Sequence, residues 1–158
     1  MKQVILPGGP HLRTAQTTRN MMFHVALSLV PALLGAIYFF GIRALYLTAL
    51  SVAVCVITEY LWQKLTGKQI TAGDFSAVVT GMLLAINMPI ETPVWVIVAT
   101  AVFSILFVKQ MFGGIGNNFA NPALMGRLFA MVVWPGTVMQ YTVPRTLPAD
   151  AVSSATVL

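Results

Sequence analysis

The chain has 158 residues, of which 58% are hydrophobic and only 8% carry a charge. Soluble domains carry charges on about a quarter of their residues, so this composition cannot coat a water-facing surface. A mean hydropathy of +0.83 indicates that lipid is the solvent for most of the chain. These values exclude a soluble enzyme, a disordered tail and a nucleic-acid-binding domain, since the nine basic residues behind the net charge of +5 are scattered singly.

Five apolar runs follow one another along the chain: Asn20 to Ile42, Ala44 to Gln63, Phe75 to Met88, Val94 to Phe112 and Pro122 to Trp134. As helices, the first two are long enough to cross a hydrocarbon core of about 30 Å, and Pro31 is expected to kink the first. The third and fifth cover only about 21 Å, which indicates broken or partial helices. We therefore predict an all-α polytopic membrane protein with about five transmembrane segments, at least two of them broken or partial.

The basic residues predict the orientation of these segments, because cytoplasmic loops are enriched in Lys and Arg. With a cytoplasmic amino terminus, that side holds Lys2, Arg13, Arg19, Lys64, Lys68 and Lys109, and the opposite side holds Arg43 and Arg145. The chain then divides into a polar amino-terminal arm (1–20), a membrane helical domain (21–135) and an extracytoplasmic segment (136–158).

The stretch from Gly113 to Pro122 contains three glycines, three asparagines and a proline, which work against a continuous helix. Pro122 suits the first turn of a following half-helix, and Asn121 suits its cap. The stretch is either the break of a discontinuous membrane helix, as in many transporter sites, or a tight cytoplasmic turn.

Three charged residues in or beside the apolar runs are candidates for function. Arg127 lies inside the fifth run, where an arginine either has a buried functional partner or extends to the membrane interface. Glu59 and Asp74 bracket the second cytoplasmic loop and are candidates for an ion path, although Asp74 also suits a helix cap. Cys55 is expected to be a packed apolar thiol, and His24 a satisfied histidine rather than a ligand. No catalytic residue and no metal site is predicted.

The segment from Asp150 to Thr156 is built from small residues and ends in a hydroxyl. Composition alone predicts only an exposed, flexible Ser/Thr tail. Its expected position on the extracytoplasmic side is the one physical argument that supports a further role for this segment.

Several motifs in the right order resemble one family of membrane proteins. They are the run from Gly113 to Arg127, the opening Gly9-Pro10-His11 with Thr17 and Met21-Met22, the triplet Thr58-Glu59-Tyr60, and the run from Asp74 to Gly81. They resemble the D subunit of the Rnf complex, an ion-translocating ferredoxin:NAD oxidoreductase of bacterial membranes. The B subunit of the sodium-translocating NADH:quinone reductase belongs to the same family.

The resemblance implies a function and a site. A flavin transferase attaches FMN to the last threonine of the family's motif, which is Thr156 here, with Ser154 where glycine is more common. The chain would be a multi-pass subunit of the bacterial inner membrane that is not active alone. Its FMN would relay electrons between ferredoxin- or NAD(H)-linked partner subunits while the complex translocates Na+ or H+. Family members are about twice as long, so the chain resembles the first of two structural repeats.

Two other classes of function remain open on physical grounds. A permease- or channel-like half without a redox group has the same broken helices, glycine-rich stretch and membrane arginine. An inert membrane scaffold for other subunits has neither flavin nor transport. The Asp150 to Thr156 segment and a bound flavin distinguish the redox subunit from both.

Overall fold

The structure is a computed structural model that describes residues 17–68, 71–114, 118 and 120–140. All regular secondary structure in these ranges is helical: α1 Thr18–Phe40, α2 Ile42–Leu65, α3 Ser76–Asn87, α4 Val94–Phe103, α5 Pro122–Val133 and α6 Pro135–Val138. A short 3-10 turn, Ala72–Asp74, precedes α3, and α4 continues as the π-helical segment Ser104–Gln110. Each of the five apolar runs forms a helix, which confirms the prediction of an all-α polytopic membrane protein.

The helices differ in length in the way that the apolar runs predict. The helices α1 and α2 have 23 and 24 residues and are long and apolar enough to cross a membrane. The helices α3 and α5 have 12 residues each, which is about 18 Å of helix and too short to span the bilayer. They are therefore the predicted partial segments.

Successive helices run up and down between two ends of the bundle. The chain reverses at Gly41, whose φ of 84° and ψ of −170° suit a residue without a side chain. We call the end with the α1–α2 turn and the α3–α4 connection the Arg43 end, and the opposite end the Lys68 end. The ring centroids of Phe23 and Phe75 lie 5.6 Å apart at the Lys68 end, and those of Trp95 and Trp134 lie 5.1 Å apart at the Arg43 end.

The core is built by close contact between α2 and α3. The Ser51 hydroxyl donates a hydrogen bond of 2.9 Å to the carbonyl oxygen of Gly81. A Cβ atom on Gly81 would lie 2.6 Å from the Cα atom of Val52, so only glycine permits this approach. Small residues of this kind let membrane helices pack closely. Cys55 is fully buried one turn further along α2, which confirms the predicted packed thiol.

The helix α1 lies on the outside of the bundle and buries none of its residues. Its exposed side chains include Leu27, Leu34 and Tyr38, so this face requires lipid or another protein chain as its surroundings. Pro31 lies inside this helix, which continues beyond it to Phe40.

Two predicted helix caps are present. The Asn121 side chain accepts a hydrogen bond of 3.0 Å from the backbone N–H of Ala123, and Pro122 occupies the first turn of α5. Asp74 Oδ1 accepts a hydrogen bond of 2.9 Å from the backbone N–H of Ser76 at the start of α3. Both caps satisfy N–H groups that have no partner within the helix.

Candidate functional site

A buried ion pair joins α2 to the end of the π-helical segment. Lys109 Nζ lies 2.7 Å from Glu59 Oε1 and 2.8 Å from Glu59 Oε2. The exposed fraction is 0% for Glu59 and 1% for Lys109. Charges at such depth in an apolar bundle are expensive, and in membrane proteins they mark ion or substrate pathways by default.

Polar side chains from three elements form hydrogen bonds with the two charged groups of this pair. The Gln110 and Gln63 amides donate to Glu59 Oε1 at 2.9 and 3.2 Å. Lys109 donates to Ser76 Oγ, so its three N–H groups are all used. Ser76 Oγ in turn donates to Asp74 Oδ1 at 2.6 Å. We call these six residues, Asp74, Glu59, Gln63, Gln110, Lys109 and Ser76, the Glu59 cluster.

The Glu59 cluster lies toward the Lys68 end of the bundle. Glu59 is six residues before the end of α2, about 9 Å along the helix axis. Asp74 is only half-buried in the turn before α3, and Lys68 Nζ lies 3.5 Å from the carbonyl oxygen of Gln110. The cluster therefore connects a fully buried carboxylate with the surface at this end.

The π-helical form of the Ser104–Gln110 segment helps to place two consecutive polar residues in the interior. Its turns are wider than those of an α-helix, with hydrogen bonds between residues five apart, such as the one from Met111 N to the Leu106 carbonyl oxygen at 3.0 Å. Val108, Lys109 and Gln110 are all buried in this segment. Short π-helical segments of this kind are frequent at functional sites.

Sequence reasoning counted Lys109 only as a basic residue marking the cytoplasmic side and did not single out Gln63, Ser76 or Gln110. The signal for Lys109 is its place inside the fourth apolar run, with Phe107 and Phe112 on either side. A lysine inside such a run is a candidate functional residue for the same reason as Arg127.

Arg127 lines a cavity of about 290 Å³ that reaches the Arg43 end. Its other lining residues come from α1, α2, α3 and the connection after α3, and include Phe40, Leu47, Thr48, Asn87 and Ile90. The Arg127 side chain is half-buried, and its Nε–H has no hydrogen-bond partner among the described residues. A mostly apolar cavity with a few polar groups is the usual form of a ligand site.

The position of Arg127 is fixed by its neighbour in the chain. A Cβ atom on Gly126 would lie 1.9 Å from Ser104 Oγ and 3.2 Å from Thr100 Cγ2. The helix α5 therefore packs against α4 as closely as two backbones with small side chains allow. This contact holds the first turns of α5, and with them Arg127, beside the cavity.

The remaining predicted residues lie apart from these two features or outside the described residues. His24 is exposed, and its Nδ1 lies 2.6 Å from the Asn20 carbonyl oxygen of the same helix. Among the described residues no group of three or more His, Cys, Asp or Glu side chains could hold a metal ion. The segment from Asp150 to Thr156 lies outside the described residues.

The glycine-rich stretch is described in part. Gly113 and Gly114 have φ angles of 103° and 92°, in the region that favours glycine, and Gly114 N–H donates to the Lys109 carbonyl oxygen at 3.0 Å. These two residues follow the π-helical segment at the Lys68 end. Pro122 then begins α5, so the stretch connects two packed helices, while residues 115–117 and 119 lie outside the described residues.

The fold and the buried charges define a polytopic helical membrane protein with a charged site inside its bundle. Residues 5–158 match the NQR2, RnfD, RnfE family, and the chain belongs to that family.

Three relatives illustrate the similarity. The chain is 48% identical over 150 residues to the D subunit of the Na(+)-translocating ferredoxin:NAD(+) oxidoreductase complex of Acetobacterium woodii, covering 94% of this chain and 46% of the relative. It is 34% identical over 153 residues to the D subunit of the proton-translocating ferredoxin:NAD(+) oxidoreductase complex of Clostridium ljungdahlii, covering 97% and 46%. It is 36% identical over 147 residues to the D subunit of the ion-translocating oxidoreductase complex of Shewanella frigidimarina, covering 92% and 42%. The chain thus spans about half the length of these relatives.

Proposed function

We propose that the chain is part of a membrane subunit of an ion-translocating ferredoxin:NAD oxidoreductase complex, with FMN covalently attached to Thr156. Membership of the family carries this proposal, since the similar proteins from Acetobacterium woodii and Clostridium ljungdahlii are named as subunits of such complexes. Other subunits of the complex and a flavin transferase are the partners that the proposal requires.

The Arg127 cavity fits a flavin ring. Its volume of about 290 Å³ is near the lower bound of about 300 Å³ for small-molecule sites. Its walls are mostly apolar, and Arg127 Nε–H is a buried donor without a partner among the described residues. A planar ring system with a polar edge uses both properties, because the walls pack against the ring and the guanidinium donates to the edge.

The chain between α6 and Thr156 is long enough for Thr156 to reach this cavity. The last described residue is Gln140, directly after α6 at the Arg43 end. Thr156 follows it by sixteen residues, a length that an extended chain covers over roughly 50 Å. The predicted topology also puts this end on the extracytoplasmic side.

The residues of this chain then have separate tasks. A bound FMN supplies one- and two-electron transfer chemistry that no side chain can supply. Thr156 holds the flavin through its hydroxyl oxygen, and Arg127 orients the ring and places a positive charge beside it. The apolar walls formed by Phe40, Leu47 and Ile90 pack against the ring. The Glu59 cluster supplies charged groups inside the bundle at the opposite end.

The test compares electron transfer and ion uptake in membrane vesicles that contain the complex with its full-length subunit. The proposal predicts that Thr156→Ala abolishes both ferredoxin-dependent reduction of NAD+ and the coupled uptake of ions. Ser153→Ala, three residues away in the same segment, is the matched control and should retain both. If Thr156→Ala vesicles reduce NAD+ and take up ions at the control rate, the proposed role of Thr156 is wrong.

A further inference from the structure

We propose that Asn87 and Arg127 recognise the imide edge of the flavin, the part of its pyrimidine ring in which an N–H group stands between two carbonyl groups. Asn87 Oδ1 accepts a hydrogen bond from the ring N–H, and Arg127 Nε–H donates to one of the adjacent carbonyl oxygens. The identity of the ligand as a flavin rests on the proposed function. The choice of these two side chains comes from the geometry of the cavity that both of them line.

The orientation of the Asn87 amide is set by its own helix. One branch of the amide lies 2.8 Å from the Leu83 carbonyl oxygen, one turn back in α3. A carbonyl oxygen only accepts hydrogen bonds, so this branch is the nitrogen Nδ2 and the other branch is the oxygen. Oδ1 has no donor among the described residues. The cavity wall therefore carries an acceptor that is free for a ligand.

Arg127 supplies the matching donor from α5. Its Nε–H is buried and has no hydrogen-bond partner among the described residues. An unpaired buried donor costs free energy, and a carbonyl oxygen of a ligand would satisfy it. The third polar side chain of the cavity, Thr48, donates its hydroxyl to the Ala44 carbonyl oxygen of its own helix at 2.8 Å. A free donor and a free acceptor thus belong to the same cavity.

The packing of α3 against α5 brings the two residues to nearly the same level of the bundle. A Cβ atom on Gly126 would lie 3.3 Å from Leu84 Cδ1, so these two positions are in contact. Both helices run from the Lys68 end toward the Arg43 end. Asn87 follows Leu84 by three residues and Arg127 follows Gly126 by one, a difference of about 3 Å in helix rise. The long arginine side chain spans this difference.

A donor and an acceptor in one cavity distinguish between classes of planar ring. The imide edge of an oxidised flavin has an N–H group beside a carbonyl group, so it pairs with both Asn87 and Arg127. A quinone has two carbonyl acceptors and no N–H group, so it pairs with Arg127 and leaves Asn87 Oδ1 without a donor. A site built from buried polar groups rejects ligands that leave one of them unpaired. The cavity is therefore selective for a flavin over a quinone.

The first test measures the binding of free rings to the full-length subunit produced without the flavin transferase, so that no attached flavin fills the cavity. The probes are lumiflavin, which lacks the ribityl phosphate, N3-methyllumiflavin, in which a methyl group replaces the imide hydrogen, and the quinone menadione. Quenching of flavin fluorescence measures the two flavins, and displacement of lumiflavin measures menadione. We expect N3-methyllumiflavin and menadione to bind about tenfold or more weakly than lumiflavin, because both leave Asn87 Oδ1 without a donor.

The second test identifies Asn87 as the source of this difference. Asn87→Ala removes the acceptor and makes room for the methyl group, so it should bind lumiflavin and N3-methyllumiflavin with similar affinity. A merely structural role of Asn87 would weaken both ligands in parallel and leave the ratio of their affinities unchanged. Asn20→Ala, at an exposed position in the first turn of α1, is the matched control and should keep the full ratio.

The third test examines Arg127 in the full-length subunit that carries its attached flavin. Infrared difference spectra between the oxidised and the reduced flavin measure the stretching frequencies of the ring carbonyl groups. A donated hydrogen bond lowers such a frequency, so Arg127→Met should raise it, whereas Asn20→Ala should leave it unchanged. An unchanged carbonyl frequency in Arg127→Met would show that Arg127 does not donate to the ring.

The failure of this inference and that of the proposed function are distinguishable. Equal affinity of the unsubstituted subunit for lumiflavin and N3-methyllumiflavin, tighter binding of menadione, or no binding of lumiflavin overturns the imide site, and these comparisons need no variant. A subunit that carries FMN on Thr156 but does not distinguish the rings keeps the proposed function and loses the imide site. A subunit that distinguishes the rings but accepts no covalent flavin keeps the imide site and loses the attachment.

Discussion

Glu59 and Lys109 are fifty residues apart in the chain, yet Lys109 Nζ lies 2.7 and 2.8 Å from the two carboxylate oxygens of Glu59 in the interior of the bundle. The pair fixes the position of the π-helical segment relative to α2. It is also the position at which the structure and the sequence interpretation differ most.

Removal of one member of this pair should be costly. We expect Lys109→Met to lower the free energy of unfolding by about 3–5 kcal/mol, because Glu59 is then a buried charge without its partner. The double variant Glu59→Gln/Lys109→Met should recover most of this loss. Reversible unfolding of the solubilised full-length subunit in a denaturing detergent measures both. Equal destabilisation by the single and the double variant would contradict the pairing.

Sequence reasoning predicted the five helices and both caps because these depend on local signals. Apolar runs fix where helices form in a membrane, and Asn121 and Asp74 each stand two residues before the N–H group that they cap. The Glu59 cluster depends on contacts between distant parts of the chain and on a change from α- to π-helical form. Such a change alters which residues face inward, and no local signal in the sequence predicts it.

The cavity beside Arg127 also could not be predicted from the sequence. The sequence identified Arg127 as a charged residue in an apolar run. It left two alternatives open, a functional role inside the bundle and a position at the membrane interface. The cavity itself is formed by residues of four elements, including Phe40 and Asn87, and only the packed helices reveal it.

The contact between α2 and α3 should not tolerate a methyl group. We expect Gly81→Ala to destabilise the subunit by about 1–3 kcal/mol, since overpacking forces the helices apart. Gly35→Ala in α1 is the matched control, because a Cβ atom there meets nothing within 4 Å. Thermal unfolding of the detergent-solubilised subunit compares the two. An unchanged Tm for Gly81→Ala would show that the helices are less closely packed than described.

The cap of α5 should contribute a measurable part of its stability. We expect Asn121→Ala to cost about 0.5–2 kcal/mol, because the backbone N–H of Ala123 loses its acceptor. Asn121→Asp keeps an acceptor oxygen at this position and should stay close to wild type. Denaturation of the solubilised subunit measures the difference, and equal stability of the two variants would argue against the cap.

Arg127 should influence the flavin without controlling its attachment. In the full-length subunit, we expect Arg127→Met to retain covalent flavin but to make its reduction potential more negative. A nearby positive charge favours the electron-rich reduced flavin, and methionine removes that charge. Arg127→Lys keeps the charge and should lie between the two. Redox titration of flavin absorbance measures the potentials, and identical values for wild type and Arg127→Met would place Arg127 away from the flavin.

The most direct test of the central claim is the intact mass of the full-length subunit after co-expression with a flavin transferase. The account predicts a mass gain equal to FMN less one water, located by peptide mapping on Thr156 and absent from Thr156→Ala. An unmodified wild-type subunit, or a flavin that persists in Thr156→Ala, would contradict it.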